Sequence, residues 1–331
     1  MIYLINKNTD PAINHAIEEY FLKETNEDVF TLWRNKPTVL LGTNQDAYSE
    51  LDIEYANKND IKIVRRLSGG GAVYCDLNNM QYSFITDMER RPSVNQFEIF
   101  AMPVVESLKK LGLDAEFTGR NDIIIEGKKI SGNAQYRYKD RILHHGTLLF
   151  DADMDKLASV LKSRPLKFKG KAVKSVSSRI GRISDYVDDM NVVDFMDYLS
   201  RSIIDFYGIS ELVEVDEEIL NSSEKYLEKF KDPVRNLGAN ISEYNEYRIK
   251  YPFGLIEYKI KTIDGLIEDI NIYGDFFSDE DIISLRSRLI GRKLDRGELR
   301  IAIDEIEISN YINGMTNEDF ISDLVDMNKG A

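Results

Sequence analysis

Three glycines in succession, Gly69 to Gly71, follow a strand-like run that ends in Arg65 and Arg66. Glycine inside a strand loses packing and costs conformational entropy, so a triplet indicates a sharp turn or a close approach to the backbone. The spacing fits neither a phosphate-binding loop nor a dinucleotide fingerprint, because no lysine follows and the sixth position is Tyr74. With Ser68 and the two arginines, the glycines could offer N–H groups and positive charge to an anion, or form a structural turn.

A second candidate segment is GKKISGNAQ, which begins at Gly127. Strand alternation places one of Lys128 and Lys129 inward and the other outward. An inward lysine near small residues suits a phosphate or a carboxylate, whereas a solvent-facing lysine would be only a hairpin side chain. Asp122, just upstream, could hold Mg²⁺ or a ribose hydroxyl, or could cap a strand.

Other catalytic chemistries find little support in the sequence. The only histidines are His15, His144 and His145, and neither HExxH nor a CxxC pair occurs, so a zinc site is not expected. A GxSxG nucleophile elbow is also missing from the sequence. Cys75, the single cysteine, lies in a strand-like run, where a cysteine is more often a small buried hydrophobe than a nucleophile.

Composition limits the possible partners. The 331 residues carry a formal net charge of −14, which argues against a general nucleic-acid or anionic-membrane binder. The segment 162–182, by contrast, contains eight basic residues and no acidic one. We interpret it as a loop that is either a solvated charge run or the local basic patch that an anionic ligand needs.

The N-terminus lacks a signal-peptide pattern and no apolar run is long enough to span a membrane, so we expect a cytoplasmic protein.

The periodicity predicts the elements that position these residues. IKIVRR and AVYCDLNNMQYSFI read as two strands around the glycines, and NQFEIFAMPVVESLKKLGL reads as a helix. Hairpins are predicted around Glu126-Gly127 and Asp264-Gly265. Residues 230–247 read as a linker, and Ser278 with Asp281 reads as a helix-capping pattern. The chain therefore reads as two domains, the second a small α+β unit.

Four segments of the chain together resemble the lipoate-protein ligase family: RRLSGGGAVY, GRND, GKKISGNAQ and HHGTLLF. Their order and spacing match, and NHAIEEY, WRN and KSVSSRIGRISD extend the resemblance over nearly all of residues 1–185. The resemblance implies an α/β (α+β) fold with a catalytic domain like those of class II aminoacyl-tRNA synthetases and biotin ligases. It implies a catalytic domain over residues 1–240 and a small α+β C-terminal accessory domain over 248–331.

The resemblance implies a two-step acyl transfer. Lipoate and Mg-ATP give lipoyl-AMP and pyrophosphate, and a lysine ε-amine of an acceptor lipoyl domain then attacks the mixed anhydride. The implied ligands are ATP, Mg²⁺ and lipoate as substrate. The implied acceptors are E2 subunits of 2-oxoacid dehydrogenases and glycine cleavage H protein, and the enzyme is expected to be a monomer.

The resemblance also assigns residues. Lys129 is the implied catalytic residue, between the lipoate carboxylate and the α-phosphate. The implied nucleotide and phosphate contacts are Arg66, Ser68, Gly71, Ala72, Val73, Tyr74, Asn79, Asp122 and Gly170. The implied lipoate contacts are Glu18, Trp33, Lys129 and His145. Asp122 is the candidate metal ligand, and the basic segment 162–182 matches the loop that covers the adenylate.

The chain departs from the family pattern at Cys75, where histidine is usual, at Asn78, where glycine is usual, and in VRNLG, which lacks paired tryptophans. An octanoyl or lipoyl amidotransferase would use a cysteine after SGNAQ and HHGT, and no cysteine follows position 75. A biotin ligase would show a GRGRxGRxW-like loop and a KWPND segment, which SGGGAVY and GRND replace. A non-catalytic protein that binds lipoate or docks an acceptor domain remains an alternative.

Overall fold

The computed structural model describes residues 1–88, 96–119, 121–162, 180–241 and 243–329. It divides the chain into two units. The large unit comprises Met1–Leu41, Ala47–Arg66 and Ala72–Leu237; the small unit comprises Gly42–Asp46, Leu67–Gly71 and Gly238–Ala331. The small unit thus takes in two short segments of the N-terminal half, and one of them carries the glycine triplet.

Eleven strands are described in the large unit. They are β1 (Ile2–Ile5), β2 (Val29–Trp33), β3 (Thr38–Leu41), β4 (Lys62–Arg65), β5 (Val73–Cys75), β6 (Met80–Asp87), β7 (Ala115–Thr118), β8 (Asp122–Ile125), β9 (Lys128–Tyr138), β10 (Arg141–Leu148) and β11 (Glu211–Glu214). Eight of these described strands form one sheet in the order β11-β1-β2-β6-β10-β9-β8-β7, and β4-β3-β5 form a smaller sheet. In the larger sheet β1 runs parallel to β2 and β11, and the other pairs are antiparallel.

Eight helices are described in the large unit, and three of them pack on the two faces of the larger sheet. They are α1 (Pro11–Glu24), α2 (Ala47–Glu50), α3 (Ile53–Lys58), α4 (Gln96–Lys110), α5 (Met154–Val160), α6 (Val192–Tyr207), α7 (Glu217–Lys231) and α8 (Pro233–Leu237), with a 3-10 turn at Ile183–Asp185. On one face, Phe84 packs with Phe100 of α4 and Phe195 of α6 in the main core. The other face lies against α1, which contacts β6, β10 and α7.

The small unit has a three-stranded antiparallel sheet among its described residues. The strands are β12 (Asn245–Tyr251), β13 (Gly254–Ile263) and β14 (Leu266–Gly274), in that order in the sheet, and the helices are α9 (Ile282–Leu289), α10 (Arg296–Ala302), α11 (Ile308–Tyr311) and α12 (Asn317–Lys329). Its core joins Tyr258 and Ile270 of the sheet to Leu285 and Phe320 of the helices.

Both predicted hairpins are confirmed. The β8–β9 turn has Glu126 at φ 50° and Gly127 at φ 75°, and the β13–β14 turn has Asp264 at φ 52° and Gly265 at φ 77°. Two successive left-handed residues are the signature of a two-residue hairpin turn, and glycine at the second position removes most of the strain.

Three local predictions are wrong. AVYCDLNNMQYSFI is not one strand but two, because Asp76 Oδ1 accepts from the Asn78 N–H at 2.9 Å and closes a turn between β5 and β6. Most of residues 230–237 of the predicted linker are helical, since α7 ends at Lys231 and α8 spans Pro233–Leu237. Phe230 is buried and the Asn236 side chain bonds the Arg65 backbone N–H at 2.9 Å, so this segment packs into the large unit. The cap of α9 is Asp281 itself rather than Ser278.

No helix among the described residues has the length and the apolar composition needed to cross a membrane.

Candidate active site

The face of the larger sheet that lies against α1 carries two rows of residues, most of them polar. Because side chains two residues apart in a strand share a face, the pairing register defines both rows. The first row runs across β2, β6, β10 and β9 as Thr31, Ser83, His145 and Ala134. The second row runs across the same strands as Trp33, Gln81, Thr147 and Gly132.

Helix α1 supplies the acidic group that faces the first row. Asp10 caps the helix by accepting from the Ala12 N–H at 2.9 Å, and Pro11 occupies the first helical turn. From that start, His15 and Glu18 lie three residues apart and therefore on the same side of the helix. Both side chains are buried.

Glu18 is the centre of a buried hydrogen-bond cluster. Its Oε2 lies 2.6 Å from His15 Nδ1, and its Oε1 lies 3.1 Å from His145 Nδ1 and accepts from Ser83 Oγ at 2.5 Å. Burial tends to raise the pKa of Glu18, but the facing His145 and His15 outweigh it and lower that pKa to about 2. The carboxylate is therefore ionised at neutral pH, and it can only accept, so both Nδ1 atoms carry protons.

His15 is held as a neutral imidazole by this arrangement. Burial lowers its pKa, and Glu18 only partly offsets that effect. With its proton on Nδ1, the other nitrogen, Nε2, is an acceptor, and it has no partner among the described residues. His15, Glu18 and His145 bring one potential metal-ligand atom each within 4.8 Å of one another. Hydrogen bonds to both oxygens of the Glu18 carboxylate are enough to explain why these three side chains lie together.

Trp33 closes the cluster at the end of β2. Its ring packs edge-on against His15 with centroids 5.4 Å apart, and only 1% of the residue is exposed. The indole N–H has no hydrogen-bond partner among the described residues. Gln81, directly opposite Trp33 on β6, is also buried, and neither atom of its amide has a partner there.

Arg65 and Arg66 have different roles, although the sequence analysis considered both as possible cations for an anion. The Arg65 guanidinium donates to the backbone carbonyls of Arg235 and Asn236, at 2.9 and 3.0 Å, and so holds α8. Arg66 is buried and donates to the Leu40 carbonyl at 3.0 Å. Burial lowers its pKa to about 10, and Glu18 partly offsets this, so the group stays cationic at neutral pH.

Lys129 lies at the β9 end of the second row. Its Nζ is 2.7 Å from Asp122 Oδ1 across the β8–β9 hairpin, where a bulge between Ile123 and Ile124 shifts the register. A Cβ built on Gly132 would lie 2.9 Å from Lys129 Nζ, so the ammonium covers this glycine. Lys128, the neighbouring lysine, is exposed. The structure therefore brings Asp122 to Lys129 and gives Gly132 a reason to lack a side chain.

The glycine triplet has a largely structural explanation. A Cβ on Gly69 would lie 2.3 Å from the Phe276 carbonyl oxygen, and the Gly70 N–H donates to the same oxygen at 3.3 Å. Gly70 has a φ of 89°, which favours glycine. Both contacts lie within the small unit, as does buried Ser68. Gly71 differs, because no heavy atom lies within 4 Å of its Cβ position.

The remaining residues predicted to contact the nucleotide lie around β5. Val73 and Tyr74 pair with Leu40 and Val39 of β3, and the Tyr74 ring is buried in the smaller core, with half-buried Ala72 packed against that core. Asn79 is fully buried, and neither of its amide atoms has a partner among the described residues. Gly170 and most of the basic segment lie outside the described residues.

Cys75 is buried in the same strand. Burial raises the pKa of its thiol, which keeps it protonated at neutral pH. A buried protonated thiol is a poor nucleophile, in agreement with its interpretation as a small hydrophobe.

Sequence reasoning missed three residues of this face: His15, Ser83 and Gln81. A signal for His15 was available, since it precedes Glu18 by one helical turn. Ser83 and Gln81 could have been found only with the strand register, which pairs them with His145 and Thr147.

Comparison with known proteins supports the class of protein that this fold defines, a ligase catalytic domain followed by a small C-terminal domain. Residues 10–204 match the family described as the lipoyl protein ligase A/B catalytic domain, and residues 243–324 match the bacterial lipoate protein ligase C-terminus. The chain is 37% identical to lipoate-protein ligase LplJ of Bacillus subtilis, over 98% of this chain and 100% of that protein. The chain belongs to the lipoate-protein ligase family, as the sequence predicted.

Two solved structures share the fold. The Plasmodium falciparum LipL1 structure in complex with lipoate superposes with a TM-score of 0.80 at 21% identity, covering 100% of this chain and 99% of that one. A lipoate-protein ligase A structure bound with ATP gives 0.63 at 26% identity, covering 72% and 99%. The predicted fold class, a ligase-type catalytic domain with a small C-terminal domain, is confirmed.

Proposed function

We propose that this chain is an ATP-dependent enzyme that activates lipoate as an adenylate and transfers the lipoyl group to a lysine of an acceptor protein. The observation that carries the proposal is the second row of the sheet face. A lysine ammonium over Gly132 marks one end, and buried Trp33 beside the Glu18 cluster marks the other. The relatives named as lipoate ligases support lipoate as the acid, and the relative bound with ATP supports the nucleotide.

In the first step, a lipoate carboxylate oxygen attacks the α-phosphorus of ATP. A new carboxyl–phosphate bond forms, and the bond to pyrophosphate breaks. Lys129 would hold the carboxylate against the α-phosphate and stabilise the negative charge that develops between them. Arg66 is a second cation that remains charged at neutral pH, and we assign it to the nucleotide phosphates.

Asp122 fits Mg²⁺ only as a single carboxylate. Magnesium typically binds one or two protein carboxylates together with substrate phosphates, so one acidic group suffices. Bound there, the ion would neutralise phosphate charge. The contact of Asp122 with Lys129 gives it a second proposed role, which is to orient the ammonium.

In the second step, the neutral ε-amine of the acceptor lysine attacks the acyl carbon. An amide bond forms, the bond between the acyl carbon and the bridging oxygen breaks, and AMP leaves with that oxygen while the amine loses a proton. No nucleophile of the enzyme is required. This agrees with a buried Cys75 whose pKa is raised.

Several finer assignments belong to the same proposal. Residues 1–240 would carry both chemical steps, and residues 248–331 would be the accessory domain. Ser68, Gly71 to Tyr74, Asn79 and Gly170 would contact the nucleotide. E2 subunits and glycine cleavage H protein would be the acceptors, and the enzyme would act as a monomer in the cytoplasm, where ATP is available.

The test is a transfer assay on an unmodified lipoyl domain with lipoate and ATP, followed by intact-mass spectrometry. The proposal predicts an ATP-dependent mass increase of one lipoyl group. A mass increase without ATP, from an acyl-carrier thioester and blocked by thiol alkylation, would favour the amidotransferase. Lipoate binding with no product on any acceptor would favour the non-catalytic alternative.

A further inference from the structure

Gln81 is a buried amide without a hydrogen bond in the part of the chain that the structure describes. The residue is 2% exposed, and neither Oε1 nor Nε2 has a partner among the described residues. Its backbone position is fixed, since β6 pairs with β2 on one side and β10 on the other. Buried side-chain polar atoms in folded proteins are nearly always hydrogen-bonded, so both unpaired atoms call for a partner other than the residues that the structure describes.

The surroundings of Gln81 indicate what kind of partner this is. Trp33 is directly opposite, and its buried indole N–H is also unpaired among the described residues. Tyr82 and Phe84, which flank Gln81 and Ser83 along β6, belong instead to the core on the other face of the sheet. Gln81 and Trp33 therefore present two donor nitrogens and one acceptor oxygen on the face that Glu18 and His145 also line.

The distance from Lys129 places Gln81 at the far end of a bound acyl chain. Gly132, which Lys129 covers, is two strands away from Gln81 along the second row, about 10 Å at the usual strand spacing. An acid held by its carboxylate at Lys129 and lying along this row brings its distal carbons to Gln81 and Trp33. This step rests on the proposed function.

The two acids that fit such a row differ in chemistry at this end. Octanoate ends in a methyl group, which would leave the amide and the indole N–H unpaired. Lipoate carries two sulfur atoms there, which accept hydrogen bonds weakly, and its reduced form adds two weak S–H donors. We infer that Gln81 is a specificity-determining residue, which selects a sulfur-bearing acyl chain over a methyl-terminated one.

The size of the expected effect follows from the weakness of sulfur as an acceptor. A site built to bond a substrate hydroxyl can reject an analogue without it by a large factor, whereas one methylene in an apolar pocket is worth about 10–200-fold. The discrimination from a pair of weak sulfur contacts should lie near the lower end of this 10–200-fold range. We expect Gln81 to supply about a tenfold preference.

The experiment compares Gln81→Leu with Gln135→Leu. Leucine removes both polar atoms at similar volume. Gln135 of β9 is a matched control because its amide already has a partner within the protein, His144 of β10, at 3.0 Å. The binding readout is the emission of Trp33, the single tryptophan, titrated with lipoate and with octanoate. The activity readout is acid-dependent exchange of pyrophosphate into ATP, as kcat/KM for each acid.

The inference predicts that the preference for lipoate falls about tenfold in Gln81→Leu and stays at the wild-type value in Gln135→Leu. The preference is the octanoate-to-lipoate ratio for Kd and the lipoate-to-octanoate ratio for kcat/KM. An unchanged ratio in Gln81→Leu would overturn it, and so would an equal fall in the control. Gln81→Met repeats the test if the leucine variant does not fold. Failure of the proposed function looks different: wild type would bind lipoate without exchange, and the Kd ratio would still decide the role of Gln81.

Discussion

Lys129 Nζ and Asp122 Oδ1 lie 2.7 Å apart on facing strands of a bulged hairpin, and the lysine ammonium rests over Gly132. Both side chains are more than one-third exposed, so this ion pair contributes little to the free energy of folding. Its significance is positional, because it holds the ammonium at one end of the row that leads to Trp33.

The first prediction concerns Gly132→Ala. The new Cβ would lie 2.9 Å from Lys129 Nζ and 3.0 Å from its Cε, which are the flexible end of a long side chain. The protein should therefore fold normally while the ammonium is displaced. Misplacement of about 1 Å can cost about 100-fold in rate, and we expect a loss of that order in lipoate-dependent pyrophosphate exchange. Gly297→Ala is the control, since its Cβ has only an ordinary contact at 3.4 Å; equal activity in both variants would contradict the assignment.

The second prediction separates the glycines of the triplet. In Gly69→Ala the Cβ meets a backbone oxygen at 2.3 Å, which should lower the free energy of unfolding by about 1–3 kcal/mol. In Gly71→Ala the Cβ meets no heavy atom within 4 Å, so the unfolding midpoint should not change. We expect Gly71→Ala to slow exchange about tenfold or more, because a nucleotide is proposed to approach this glycine. Full activity in Gly71→Ala would show that no ligand does.

The third prediction concerns Cys75→Ala. The buried thiol is a packing group, so its loss should cost about 1 kcal/mol in unfolding free energy and leave most of the exchange activity. The native thiol should also react slowly with maleimide, because burial raises its pKa. Loss of all transfer activity in Cys75→Ala would instead support a thioester mechanism.

The fourth prediction concerns pH. His144 is buried as a neutral imidazole between Gln135 and Asn133, and burial sets its pKa well below 6.5. The unfolded chain therefore binds a proton that the folded chain does not. Stability should fall as pH drops below 6.5, by up to about 1.4 kcal/mol per pH unit for this group. His15 should add to the effect, since burial lowers its pKa also.

The measurement is urea unfolding between pH 8 and pH 5, a range in which Glu18, with a pKa of about 2, stays ionised in the folded state. His144→Phe should be less stable than wild type at pH 8 but less sensitive to acid. If the free energy of unfolding changed with pH by the same amount in wild type and in His144→Phe, this explanation would be contradicted.

Local sequence chemistry predicted much of this fold. The Glu126-Gly127 and Asp264-Gly265 turns are left-handed at both residues, so the hairpins follow from short-range rules alone. The break between β5 and β6 was missed because Asp76 closes a turn inside an otherwise strand-like run. The packing of residues 230–237 depends on Arg65, which is far away in sequence, and periodicity could not show it.

The candidate site was predictable to a similar extent. Glu18, Trp33 and His145 were named from the family resemblance, and the structure brings them to one face of the sheet. The explanation for Gly69 is a contact with Phe276, which no local pattern reveals. Gln81 was identified only because it is buried and its amide has no partner among the described residues, and both are properties of the folded chain.

The measurement that tests the central claim most directly is lipoate-dependent exchange of labelled pyrophosphate into ATP, for wild type, Lys129→Met and Lys128→Met. Methionine removes the charge and keeps the length, and Lys128 is the exposed neighbour in the same hairpin. The account predicts exchange in wild type and Lys128→Met, and a loss of about 100-fold or more in Lys129→Met. Undiminished exchange in Lys129→Met, or no exchange in wild type with any acid, would contradict it.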